Sequence, residues 1–199
     1  GQENKAKELL DQVSSKMSSY TNMTIAFSAS LSNEDAGIQE GDELPMKGVI
    51  SLEGEKYNLD YLGNTFIFDG SKLYVINHEE KEIAINEGDL DADDGFIYPS
   101  KLLTFYKEGY TFALGEVQTI QRKKVQFVVL TPMDSDSDII KVELGIDQKT
   151  KHIVKLMQTG ANNAKTTFEI TSFKHSQNLP ISTFSFDKDT FLETNYIID

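Results

Sequence analysis

The sequence predicts a mainly antiparallel β fold of the α+β class: a half-open, strongly curled sheet or barrel of about eleven strands, with an N-terminal helix and short helices as a lid. Three observations lead there. Apolar residues recur every three or four positions over residues 2–20 and, after Asn22, every second position. Short alternating segments then follow one another to the C-terminus, separated by Asn, Asp and Gly turns too short to hold crossover helices. Large apolar side chains crowd these segments, and few helical stretches are available to cover them.

Ala6, Leu9, Leu10, Val13, Met17 and Tyr20 share one helical face, while Lys5, Lys7, Asp11, Ser15 and Lys16 take the other. Residues 1–3 are expected to be a disordered lead-in. Ile25, Phe27, Ala29 and Leu31 alternate with Thr24, Ala26, Ser28 and Ser30, which makes a strand follow the helix directly. Residues 33–44 carry five acids and two glycines and read as a solvated loop. Strands are expected at 46–53, 56–61, 65–68, 73–76 and 82–85, with turns at Asn64, Asp69-Gly70 and 77–81. Residues 87–94 are acidic. Pro99 then opens a short helix through Tyr106 that Gly109 closes. Strands resume at 110–116, 123–131, 139–147, 152–158, 165–173 and 184–186, with turns at 134–138, 147–150 and 160–163. No repeat period of about 20 to 50 residues occurs, which excludes a solenoid or propeller.

The 199 residues fit one domain, residues 1–199, and the absence of cysteine excludes disulfides, thiolate metal sites and a Cys nucleophile. A net charge of −13 argues against nucleic acid and anionic membranes as partners, since both are met by clustered Lys and Arg. No apolar run approaches the ~20 residues of a membrane span, so stable membrane insertion is not expected. The chain starts Gly1-Gln2-Glu3 without Met, and a removed signal peptide is the expectation.

Local patterns give no support for catalysis. His78, His152 and His175 lie far apart, and His78-Glu79-Glu80-Lys81-Glu82 has Glu where a zinc-protease helix needs its second His. Nucleophile elbows, phosphate loops and dinucleotide fingerprints are missing. Asp89-Leu90-Asp91-Ala92-Asp93 begins like a calcium loop but places Asp94 where Gly is needed and Ser100 where Glu is needed. Asp134-Ser135-Asp136-Ser137-Asp138 fails in the same way, with Ile139 and Gly145 at those places. Asn22-Met23-Thr24 fits a glycosylation sequon of low specificity. The expectation is a protein without enzymatic activity, cofactor or metal, although 32 acids leave convergent carboxylates open to a hydrolase.

A long antiparallel sheet curls, and its concave face must be filled by helices, by its own side chains or by a ligand. The order of elements and several motifs here resemble the outer-membrane lipoprotein carrier family of Gram-negative bacteria, the LolA type. The resemblance runs through the helix with Leu9, Leu10 and Val13, the strand with Phe27, and Met46-Lys47-Gly48-Val49-Ile50-Ser51-Leu52. It continues through the strand from Tyr57 to Tyr61, Phe68-Asp69-Gly70-Ser71-Lys72-Leu73-Tyr74-Val75-Ile76, the 99–105 helix and Leu130-Thr131-Pro132. Val142-Glu143-Leu144-Gly145-Ile146-Asp147, Phe168-Glu169-Ile170-Thr171-Ser172-Phe173 and Phe184-Ser185-Phe186 complete it, so nearly the whole chain is covered.

That resemblance implies a half-open barrel with a helical lid whose apolar interior takes the acyl chains of lipoproteins. Its chaperone-like carriage across the periplasm would run from an inner-membrane release complex to an outer-membrane acceptor. The lining it implies here is Ile25, Phe27, Ile50, Leu52, Tyr57, Leu59, Phe66, Phe68, Phe112, Leu114, Phe127 and Val129, with Leu9, Leu10, Val13, Leu102 and Phe105 on the lid. Inward parity is taken from the bulkier set on each strand. The family closes its lid through an Arg after the Gly-x-hydrophobic-x-hydrophobic strand, whereas this chain has Glu53-Gly54-Glu55-Lys56 there, and Lys56 lacks the guanidinium fork. The lone Arg122 stands with Lys123 and Lys124 in a basic cluster at an expected hairpin edge. The other reading is a non-catalytic envelope regulator or sensor that binds a lipidated or protein partner on the same sheet. Nothing requires more than a monomer.

Overall fold

The structure, a computed structural model, describes residues 1–89 and 101–199. Helix α1 (Gln2–Ser18) is built from strong helix formers and begins inside the stretch expected to be an unstructured lead-in. Its buried residues Ala6, Leu10, Val13 and Met17 are spaced four, three and four apart, so they form one stripe that is at most 2% exposed.

Twelve strands follow among the described residues: β1 (Met23–Ser32), β2 (Met46–Glu53), β3 (Lys56–Tyr61), β4 (Asn64–Phe68), β5 (Lys72–Asn77), β6 (Glu82–Glu87), β7 (Tyr110–Ile120), β8 (Lys123–Pro132), β9 (Ile139–Asp147), β10 (Ile153–Gly160), β11 (Lys165–His175) and β12 (Ile197–Ile198). They form one sheet in the order β12-β6-β5-β4-β3-β2-β1-β11-β10-β9-β8-β7. Every ladder is antiparallel except β12 on β6. The sheet is open, with β12 and β7 at its two ends. β1 to β6 are one meander and β7 to β11 another, and the β1–β11 ladder joins them.

The β7–β8 turn is two residues long, since Ile120 pairs with Lys123. Gln121 and Arg122 both sit at positive φ, 49° and 66°, the handedness that matches the twist of the strands it joins. Arg122 is therefore at the tip of this hairpin.

Two strand expectations change. Residues 184–186 do not pair: Ile181–Phe184 is a 3-10 turn, and Phe186 packs on the outer face of the sheet. Conversely, Ile197–Ile198 pairs in parallel with β6, in a strand too short to show any alternation. Between them lies α2 (Lys188–Glu193), capped by Asp187, whose carboxylate accepts bonds from the Thr190 amide and hydroxyl. This C-terminal segment covers the outside of β4 to β6, where Ile67, Ile76 and Ile83 are at most 6% exposed. Phe186 stacks on Tyr74 with ring centroids 4.5 Å apart. His78 fastens the segment, with Nδ1 2.8 Å from the Tyr196 hydroxyl and Nε2 2.7 Å from that of Thr65.

The helix expected over 99–106 lies partly outside the described residues, and the described part is a turn ending in a 3-10 helix, Phe105–Lys107. The calcium-like run from Asp89 likewise falls outside them after its first residue. The 33–44 loop carries a 3-10 turn, Glu34–Ala36, capped by the Asn33 side chain.

Candidate functional site

Register places the sheet's apolar residues in rows. Val75, Phe66, Leu59, Ile50, Ile25 and Phe173 face one another across six neighbouring strands. The next row holds Leu73, Phe68, Tyr57, Leu52 and Met23. On the other half, Phe168, Leu156, Leu144, Val128 and Leu114 form a row, and Val142, Leu130 and Phe112 another. Opposed residues share a face, and all of these residues belong to one apolar cluster. That face is the sheet's interior, and α1 lies in it through Ala6, Leu10, Val13 and Met17.

One position on this face has no side chain. Gly48 stands between Tyr61 and Phe27, and a Cβ there would clash with the Phe27 ring at its Cζ. The missing methyl lets Phe27 lie flat on the backbone, 5.5 Å from Tyr61 and 5.8 Å from Phe168 between ring centroids. The Gly-x-hydrophobic-x-hydrophobic motif thus has a physical role, a seat for an aromatic ring from the neighbouring strand.

The sequence-predicted residues Leu9, Leu10, Val13, Ile25, Phe27, Ile50, Leu52, Tyr57, Leu59, Phe66, Phe68, Leu102, Phe105, Phe112 and Leu114 all meet in this cluster. Phe127 and Val129 do not. Phe112 opposes Leu130 and Leu114 opposes Val128, so the other parity of β8 faces outward. Phe127 packs there with Val125 and Met157, over Gly145. The segment Val125-Gln126-Phe127-Val128-Val129-Leu130 is apolar on both parities, and selecting by bulk chose the wrong one. Tyr106, Met17, Val128, Leu130, Val142 and Leu144 are interior residues that the bulk criterion passed over. The pairing register identifies the strand residues among them, which no single strand's pattern can do.

The cover is tied by polar contacts. The Tyr106 hydroxyl donates to Asp11 Oδ1 at 2.8 Å, and Ser14 Oγ donates to the Leu103 carbonyl at 3.0 Å, so α1 and the 101–107 segment hold each other. Burial and the bond to Asp11 push the Tyr106 phenol up to about 12. The same bond, helped by Lys7, holds the Asp11 carboxyl below its ordinary value despite some burial. Burial alone raises the phenols of Tyr61 and Tyr110, as an apolar lining does to an ionisable group. The Tyr57 hydroxyl donates to Asp89 Oδ1 at 2.7 Å. Lys56, where the resembled family has its Arg, is exposed beside the β2–β3 turn.

A polar cleft of about 700 Å³ lies elsewhere, between the 33–40 loop and Lys141, Thr159 and Lys165. Among the described residues no group of three or more His, Asp or Glu side chains could hold a metal ion. Nor, among them, is any helix long and apolar enough to cross a membrane. His152 and His175, which the sequence separates, come together with Tyr20 at the foot of α1.

No family model and no curated protein matches the sequence. Solved structures do. An uncharacterized conserved protein from Thermus thermophilus superposes with a TM-score of 0.65 at 11% identity, covering 98% of each chain. The Mycobacterium tuberculosis lipoprotein LppX gives 0.50 at 12% identity, over 88% of this chain and 98% of its own. A LolA superfamily protein from Nitrosomonas europaea gives 0.45 at 10% identity, over 91% and 97%. What this chain shares with the first two, at such identities, is the fold, and it has the open antiparallel sheet around an N-terminal helix that its resemblance to the LolA-type carriers implied.

Proposed function

We propose that this protein is a non-enzymatic carrier of acyl chains, which takes lipoproteins through the periplasm from an inner-membrane release complex to an outer-membrane acceptor. The observation that carries the reading is the interior face. It is apolar from β5 across to β7, and its cover is a separate amphipathic helix, tied to a short segment by two side-chain hydrogen bonds. Each methylene withdrawn from water contributes about 0.8 kcal/mol, so an acylated protein leaves a membrane only for a surface of comparable apolarity. When α1 swings out, the rows through Ile50 and Leu144 offer that surface. The net charge of −13 would keep the emptied carrier off anionic lipid.

The test is release. Purified protein is added to spheroplasts making a radiolabelled lipoprotein, and the soluble fraction is examined for a one-to-one complex. Release that depends on the cargo's acyl chains, and that Phe68→Glu abolishes, is expected. Equal binding of acylated and unacylated envelope proteins, without release, would overturn the carrier and leave the regulatory reading.

A further inference from the structure

Two of the chain's three histidines meet at one place, where α1 ends. Tyr20, two residues beyond α1, shares a 2.7 Å hydrogen bond with His152 Nε2 and stacks on the His175 ring with centroids 3.9 Å apart and planes 16° from parallel. Phe173 closes the cluster, 4.2 Å from the His152 ring. The chain is then pinned at Asn22, 4% exposed, whose side chain donates to the Gln177 carbonyl at 2.8 Å and accepts from its amide at 3.0 Å. Asn22 is thus a fixed point, and Tyr20 is the last side chain that holds the helix before it.

We propose that the Tyr20–His152–His175 cluster is an acid-sensitive latch: with His152 neutral the cluster holds α1 on the interior face, and a proton on His152 releases it. This rests on the reading of α1 as a movable cover. The charges around His152 favour such a device. Its ring is half-buried, and on the approaching elements it faces His175 of β11, Lys16 of α1 and Lys123 of β8, with Asp147 at the end of β9 as the opposing acid. Burial, then His175, Lys16 and Lys123, hold its pKa below the ordinary 6.5, against the pull of Asp147. With the helix lifted, the ring meets water and leaves Lys16 behind, so its pKa moves back toward the ordinary value although His175 and Lys123 stay beside it. The open form then binds the proton more tightly, and acid must favour it. The closed form has its full advantage above about pH 6.5 and loses it as pH falls toward the lowered value.

Amide hydrogen exchange across residues 5–17, corrected for the intrinsic pH dependence, measures the latch without any lipid. Between pH 7.5 and 5.5 the wild-type helix should lose protection severalfold while β9 and β10 keep theirs. His152→Gln, a neutral side chain that still offers an acceptor to Tyr20, should abolish the change, and His175→Asn should reduce it. His78→Gln, on the far side of the sheet, should leave it intact. A thermal melt at pH 7.5 establishes that each variant is folded. Unchanged protection in the wild type, or the same loss in folded His152→Gln and His175→Asn, would overturn the latch. Release of labelled lipoprotein at pH 7.5, tested separately, judges the carrier reading, so the two can fail independently.

Discussion

At the residue scale, the buried polar side chains among the described residues divide into those with partners and one hydroxyl without. Thr167 is 2% exposed, and its hydroxyl has no hydrogen-bond partner among the described residues. A buried hydroxyl left unpaired costs roughly 1–3 kcal/mol, and valine has the same shape. Thr167→Val should therefore raise the stability read from urea unfolding by about 1 kcal/mol, and a loss would mean that the hydroxyl serves the fold. Tyr106 is the opposite case. Tyr106→Phe keeps the ring buried but removes the bond to Asp11, and a loss of about 1 kcal/mol is expected in the same assay. A raised phenol pKa means that the folded form favours the protonated ring. Its stabilisation is complete below pH 10 and disappears as pH rises toward about 12. Phenolate absorbance at 295 nm should show one late-titrating tyrosine fewer in Tyr106→Phe. None of this was legible in the sequence, because Asp11 and Tyr106 meet only after the sheet has curled. The interior residues were legible wherever polar positions alternate with apolar ones, as around Tyr57 and Leu59, and failed where they do not, at Phe127 and Val129.

At the element scale, strands and turns were the most legible part, since most of the turns carry a Gly, Asn or Asp with a backbone reason to turn. The C-terminal segment was the least legible: β12 is two residues long, and Phe186 serves the outer face instead of a strand. The β7–β8 turn departs from ordinary turn chemistry, because Gln121 and Arg122 hold left-handed backbone that costs an L-residue roughly 1–2 kcal/mol. Replacing them with Asn-Gly should raise the melting temperature and leave the ladder unchanged. A fall would show that the Arg122 side chain has another duty. For α1, the chain's lack of cysteine makes a clean experiment. Cysteines at Ser14 and Leu103, whose side-chain and backbone oxygens lie 3.0 Å apart, should lock the cover when oxidised. Release of acylated cargo should stop in the oxidised protein and return on reduction, and release from the locked form would remove α1 as the gate.

At the scale of the whole molecule, the sheet has two working faces. The interior face is shared between both meanders and α1, and the outer face is divided into separate patches, one under the C-terminal segment and one around Phe127. Only the fold class was legible at this scale. Alternation predicts strands and an apolar side, but which strand neighbours which depends on one pairing, β1 with β11, that nothing local specifies.

That pairing has a consequence for how the chain folds. Every other antiparallel ladder joins strands adjacent in sequence, and each can zip from its own turn, whereas Met23 must find His175 across nearly the whole chain. Closing so long a loop is entropically costly before any contact compensates for it, and non-local pairing is slow. The two meanders are expected to form first and their docking to limit the rate. Substitutions along β1 and β11 should then slow refolding, while those in the hairpin turns mainly alter unfolding.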